Sequence, residues 1–452
     1  MKKIFLAASL VFSLAVSCVF APFADAEPIF EAQTPAAASM PDQSDYLTDD
    51  GYMDYEAYSE DYRLWANENA AKRDANRLAL DEAESLNAYF KDMSKEILAR
   101  EDQKNKVFSP VNVYFALSML SEITDGATRD EILQLLNAES VEALRAQANA
   151  VFLSVYENDG ETTSIPAASV WLRNDIAYKP DALKILCENY FASSFSGEMG
   201  SSEYDQMIQK WLSEATGGLL DDAAKKITFD ANTMIALATS LYFKAGWENE
   251  FSTSLTEENV FHGIIGDQTA EFMKKGGADA YYWGENFGAV ALPLTNGGEM
   301  WFVLPDEGIA PETLFEDGGI MTLTQNPYDW QDQKRLIVNK SIPKFDVVGE
   351  NDLIDALKNL GICAAFDAAE SDFTPLTDIG EIAVSKAQHD ARVKIDEEGI
   401  EAAAYTVIMA FATSARPPED QMDFIVDRPF AFVITSEDNL PLFMGVVNRT
   451  DT

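Results

Sequence analysis

Residues 397–416 read EEGIEAAAYTVIMAFATSAR, an apolar run that begins beside a glycine and is stopped by Pro417-Pro418. No proline interrupts it, and its local preferences disagree. Ala402-Ala403-Ala404 favour helix, whereas Tyr405-Thr406-Val407-Ile408 favour strand. The polar, proline-rich tip beyond Ala412 suits only exposed loop. A segment able to be a strand but not committed to it is what a conformational switch needs.

The 452 residues suffice for one large or two medium domains with an ample core. An apolar content of 47% and a mean hydropathy of −0.14 describe a globular protein. Met1 to Ala26 reads as a secretory signal: Lys2 and Lys3, an apolar stretch from Ile4 to Ala21, then Ala24-Asp25-Ala26 as the cleavage site. The competing reading is an uncleaved anchor. A lipid anchor at Cys18 is a minor alternative, because Ala15-Val16-Ser17 is a poor lipidation box.

Removing residues 1–26 takes two Lys and one Asp from 33 basic and 76 acidic residues, leaving 31 against 75 and a net charge of −44. Such a surface repels nucleic acid and anionic lipid, so neither is an expected partner. It also lacks the clustered Lys/Arg that a sulfated-polysaccharide cofactor would need. Cys187 and Cys363 then remain, enough for one bridge but not for a disulfide framework. Two Cys with His262 and His389 do not make a typical structural zinc site. No G-x-S-x-G, H-E-x-x-H or G-x-x-x-x-G-K-[ST] string occurs. Neither an enzyme nor a resident cofactor is expected.

Residues 27–40 are Ala/Pro-rich, and Pro41 to Tyr62 carries eight acidic and no basic residues, with Tyr46, Tyr52, Tyr55, Tyr58 and Tyr62 between them. We read 27–74 as a disordered acidic spacer, the alternative being a docking tail for a basic surface. The calcium-loop pattern does not fit around Gly51. Helical periodicity starts near Asp74 and runs to Ile97. Ser109-Pro110 opens a second apolar helix, Val111 to Leu120. Leu237 to Phe243, Met300 to Leu304, Phe430 to Ile434 and Leu442 to Val447 have the length and composition of buried strands. Strands and helices do not alternate strictly, which favours an α+β fold. Nothing divides 75–452, so it is read as one domain.

Within that domain VFSPVNVYFALSML (107–120), Gly126-Ala127-Thr128, IQKWLSEATGGLL (208–220) and SLYFKAGWENEF (240–251) with Thr256 and Phe261 resemble the serpin family. So do PKFDV (343–347), LKNLGI (357–362), SDF (371–373), VSKAQHDARVKIDEEGIEAAAYT (384–406), DRPFAFVI (427–434) and LFMGVV (442–447). The blocks occur in order and span essentially all of 75–452, and the last three together are highly specific. The resemblance implies a metastable α+β domain of three β-sheets and about eight or nine helices, with an exposed reactive-centre loop. An inhibitory member is a suicide substrate: a serine protease cleaves the loop, becomes a covalent acyl complex, and is trapped as the loop inserts into the main sheet.

Insertion into a sheet interior requires free N–H groups and hence no proline, and Gly399 to Arg416 contains none. Counting by twos from Ile400 gives Ala402, Ala404, Thr406, Ile408 and Ala410 on the buried face. The outer face takes Glu401, Ala403, Tyr405, Val407, Met409 and Phe411, and a one-residue slip would bury Glu401. The hinge is Glu397-Glu398-Gly399, where glycine lets the backbone turn over, followed by intact Ala402-Ala403-Ala404. Ile400 replaces the usual Thr or Ser. Family spacing puts the scissile bond at Thr413-Ser414, with Ala412-Thr413 as competitor. A small uncharged residue there suits elastase-like or subtilisin-like proteases.

By position His389 and Ser109, with Asn112 and Thr239, match the family cluster that closes the main sheet, and Trp247 matches the tryptophan where insertion begins. Plain core packing is an equal reading for both. The expectation is a secreted, extracellular, monomeric inhibitor of bacterial type. The alternative is a non-inhibitory serpin that binds partners through its acidic N-terminal segment.

Overall fold

A computed structural model of the chain describes residues 28–35, 40–48, 50–100, 102–400 and 420–450. The signal region with Cys18, and loop positions Glu401, Ala402, Ala403, Ala404, Thr413 and Ser414, lie outside the described residues. The expected α+β class is observed, with eleven α-helical segments among those residues.

The main sheet runs in the order Phe345–Asp352, Gln388–Ile395, Gly399–Ile400, Ile235–Gly246, Thr163–Arg173, Glu157–Asn158, and Ala192–Gly197 pairs parallel to Thr163–Arg173. Alternation along Thr163–Arg173 divides two cores. Val170 and Leu172 enter the principal core, while Trp171 faces the other way. There it packs with Phe195, Tyr204 and Trp211 under the helix Ser202–Ala215.

On the opposite side lies the helix Pro110–Glu122, buried at every position but Ala116. A helix apolar all round belongs inside a core, and this one touches both Ile235–Gly246 and Pro441–Val447. The latter strand belongs to a nine-stranded network. Its 18-residue strand Gly266–Trp283 pairs with Glu257–Gly263 near its start and with Phe287–Pro293 at its end. Because that strand is continuous, hydrogen bonding joins two of the three expected sheets into one network.

Residues 401–419 are therefore bounded by strands in different sheets. Gly399–Ile400 lies in the main sheet, and Gln421–Ile425 pairs parallel to Gln333–Pro343 in the nine-stranded network.

The reading of 27–74 as disordered is corrected by the structure. Tyr55–Asn76 is a 22-residue helix with Asp54 as its N-cap, and Phe30 bridges to the edge residue Ser194. The cause is a helical stripe of Tyr58, Tyr62, Trp65, Asn69 and Arg73 that the acidic composition conceals. Trp65 Nε1–H donates to the Asp159 carbonyl at 3.2 Å, and ring contacts join Tyr58, Tyr62 and Trp65. The helix runs through Asn76, so the boundary at 75 falls inside it. The periodicity read from Asp74 onward breaks at Arg77 and resumes as Leu80–Ser85 and Asn87–Leu98. No described helix is long and apolar enough to cross a membrane.

Candidate functional site

Gly399 and Ile400 form a two-residue strand of the main sheet and sit between two long ones. Gly399 pairs with Gly246, and Ile400 pairs with Ala245 on one side and Ile395 on the other, antiparallel to both. The flanking strands Ile235–Gly246 and Gln388–Ile395 thus run parallel to each other. Among the described residues no ladder joins them directly. Ile400 is buried, as the alternation from that residue expects.

A tight turn delivers the chain to this position. Asp396 N–H donates to the Gly399 carbonyl at 3.0 Å, and Asp396 Oδ1 accepts from the N–H groups of Glu398 and Gly399 at 2.9 and 3.3 Å. Glycine at 399 is required by close approach: a Cβ there would lie 2.3 Å from the Ala245 carbonyl oxygen. Its φ is not in the left-handed region, so the turn-over argued from sequence is replaced by a packing reason.

Trp247 holds the turn from the other strand. Its Nε1–H donates to the Asp396 carbonyl at 2.8 Å and its N–H to the Glu398 carbonyl at 2.9 Å, while Phe251 N–H donates to the Glu397 carbonyl. Core packing alone does not describe it, because both its donors go to the hinge. Glu397 is buried, with Oε1 accepting from Thr256 Oγ1 at 2.7 Å and Oε2 lying 2.9 Å from Lys344 Nζ. Burial alone would raise its pKa, but the hydroxyl and the ammonium outweigh it and hold the carboxyl below its ordinary value. Sequence reading missed Lys344 and Asp396. Both lie in blocks already quoted (PKFDV and KIDEEG), but their roles depend on a tertiary pairing.

Ser109, Asn112, Thr239 and His389 meet in two hydrogen-bonded pairs. Ser109 N–H donates to His389 Nε2 at 2.9 Å, and Ser109 Oγ caps the helix by accepting from Asn112 N–H at 3.2 Å. Asn112 Nδ2 donates to the Thr239 carbonyl at 3.3 Å, and Thr239 Oγ1 to the Asn112 carbonyl at 3.4 Å. One helix N-terminus therefore holds His389 on one flanking strand and Thr239 on the other. Burial pushes the His389 imidazole down to about 4, so the ring is neutral. A small cavity beside it, lined by both polar and apolar side chains, includes Asn112, whose buried Oδ1 has no hydrogen-bond partner.

The family model described as Serpin (serine protease inhibitor) matches residues 84–450. The chain belongs to the serpin family. Serpin-ZX of Arabidopsis thaliana is 28% identical over 393 residues, covering 81% of this serpin and 99% of the relative. The crystal structure of tengpin, a thermophilic serpin, matches in its native state with a TM-score of 0.73 and 25% identity, covering 82% of this serpin and 95% of tengpin. Human thyroxine-binding globulin, solved in complex with its hormone, matches at 0.71 and 22% identity over 82% of this serpin and 100% of that chain, a likeness of fold alone. The family is one of protease inhibitors rather than enzymes, though some members do not inhibit.

Cys187 and Cys363 do not bridge each other in the structure. Among the described residues no three His, Cys, Asp or Glu side chains group to hold a metal ion.

Proposed function

We propose that this serpin is a secreted suicide-substrate inhibitor of elastase-like or subtilisin-like serine proteases. The observation that carries the reading is the pairing of Gly399–Ile400 between Ile235–Gly246 and Gln388–Ile395. The last hinge residue and the first residue of the insert already have the register of a central strand. Continuing that register sets Ala402 opposite Phe243 and Val393, Ala404 opposite Leu241 and Ala391, and Thr406 opposite Thr239 and His389. Ala402 and Ala404 thus meet the bulky Phe243 and Leu241. The one hydroxyl on the inserting face arrives beside the unpartnered Asn112 Oδ1, which lowers the cost of burying it.

In the reaction, the protease serine attacks the Thr413 carbonyl carbon and forms an ester. The Thr413-Ser414 peptide bond breaks, and the Ser414 nitrogen leaves with a proton. Insertion then carries Thr413 and the attached enzyme away from the site of attack, faster than water hydrolyses the ester.

Titration with subtilisin or elastase, followed on denaturing gels and by mass spectrometry, tests this. A covalent complex together with a released peptide beginning at Ser414 supports it. Cleavage without a complex contradicts it and favours a non-inhibitory binding role.

A further inference from the structure

The N-terminal helix Tyr55–Asn76 ends with two arginines that meet carboxylates from both sheets. Arg73, in its last turn, lies 2.9 Å from Glu157 Oε1 and 3.7 Å from Asp159 Oδ2. These belong to the turn that feeds the main-sheet strand Thr163–Arg173. Arg77, the C-cap residue, lies 3.1 Å from Asp438 Oδ1 and 3.4 Å from Glu437 Oε1. Those two sit between Phe430–Thr435 and Pro441–Val447, in the nine-stranded network.

All six side chains line one cavity. Among the described residues no other cation is ion-paired with the four carboxylates. Burial first, and then the neighbouring Asp159, push the Glu157 carboxyl up to about 7 even with Arg73 in place. Burial works against the Arg73 charge, yet Glu157, Asp159 and Glu437 together raise its pKa, so carboxylates of both turns act on one guanidinium. Without the arginines, the carboxyl groups of two sheets would face each other with no counter-charge, and the buried Glu157 would be driven further toward its protonated form.

The same turn is tied to the hinge. Asp159 Oδ1 accepts from the N–H groups of Glu161 and Thr162, and the Thr162 hydroxyl lies 3.3 Å from that of Thr295. Thr295 N–H donates to the Gly246 carbonyl at 3.0 Å, and Gly246 pairs with Gly399. A full strand between Ile235–Gly246 and Gln388–Ile395 sets them two spacings, about 9.6 Å, apart, so they must part by about one spacing wherever they lie adjacent. That movement shifts the 157–162 turn relative to the second sheet.

We propose that Arg73 and Arg77 form a staple between the two sheets that slows opening of the main sheet, so that the N-terminal helix sets how readily the loop inserts. This rests on the loop-insertion reading above. The helix lies outside residues 84–450, so the device is an addition to the family domain.

The test uses the full chain carrying Arg73→Ala and Arg77→Ala. Hydrogen exchange at the amides of 157–162 reports the turn directly. Incubating uncleaved protein at elevated temperature and following its gain of heat resistance reports spontaneous insertion. Faster exchange and roughly tenfold faster conversion are expected, with both restored by adding Glu157→Gln and Glu437→Gln. Arg77→Ala alone, at a half-exposed side chain, gives a smaller change in the same direction and decides the matter if the double variant does not fold. Unchanged exchange and conversion, or no restoration by the glutamines, overturns the staple. If wild-type protein cleaved in its loop gains no heat resistance, the insertion reading itself fails, and exchange at 157–162 still decides whether the arginines hold the turns.

Discussion

Glu397 sits at the point where the main sheet ends and the loop begins, and its carboxylate is shared between Thr256 and Lys344. Glu397→Gln keeps the hydroxyl contact and removes the charge, leaving Lys344 with the more exposed Glu271. A loss of about 1–2 kcal/mol is expected, read as a lower urea midpoint with an unchanged slope.

His389 offers a second test at this scale. Its folded pKa is about 4, below the usual value of 6.5. Between those two pH values the unfolded chain binds more protons than the native one. The contribution is therefore full above pH 6.5 and falls by about 3 kcal/mol as pH drops toward 4. Glu157 has the opposite sign, because its raised pKa makes stability fall as pH rises from about 4.5 to 7. The overall stability curve mixes the two. An NMR titration of the His389 ring separates them, and a midpoint near 6.5 would contradict the buried, neutral assignment.

At the scale of elements, the loop reading rests on a local rule for insertion (no proline, period two, small groups inward), and of the residues it covers only Gly399 and Ile400 are described. Gly399 and Ile400 pair as that rule requires. Its partners were not readable. Lys344 is 53 positions before Glu397, and only the sheet brings them together. The N-terminal helix was misread for a different reason. Counting acids hid the aromatic stripe at Tyr58, Tyr62 and Trp65, and a stripe with nothing local to bury it needs a tertiary surface before it becomes a helix. The closing cluster was legible only as a set of positions, because the split into Ser109–His389 and Asn112–Thr239 depends on where one helix starts.

The register argued here makes Ala404 meet Leu241 and Ala391 on insertion. Ala404→Glu should leave intact-chain stability within about 0.5 kcal/mol and should not prevent cleavage. It should abolish the covalent complex, because burying the carboxylate halts insertion before the ester is protected. Undiminished complex formation on gels with subtilisin would contradict the register.

For the whole molecule, two sheets share one core through the buried helix Pro110–Glu122, and the strands that bound residues 401–419 lie in different sheets. The fold is a body whose main sheet has its central strand begun at Gly399–Ile400. On the proposed loop-insertion reading, cutting the loop frees it to continue that strand and releases stability that the intact chain lacks. Thermal unfolding of intact chain against chain nicked in 401–419 tests this most directly. We predict a large upward shift of the transition after nicking, with the amides of Ile235–Gly246 and Gln388–Ile395 more protected. A nicked chain that unfolds at the same temperature as the intact one, with those strands no better protected, would contradict the account.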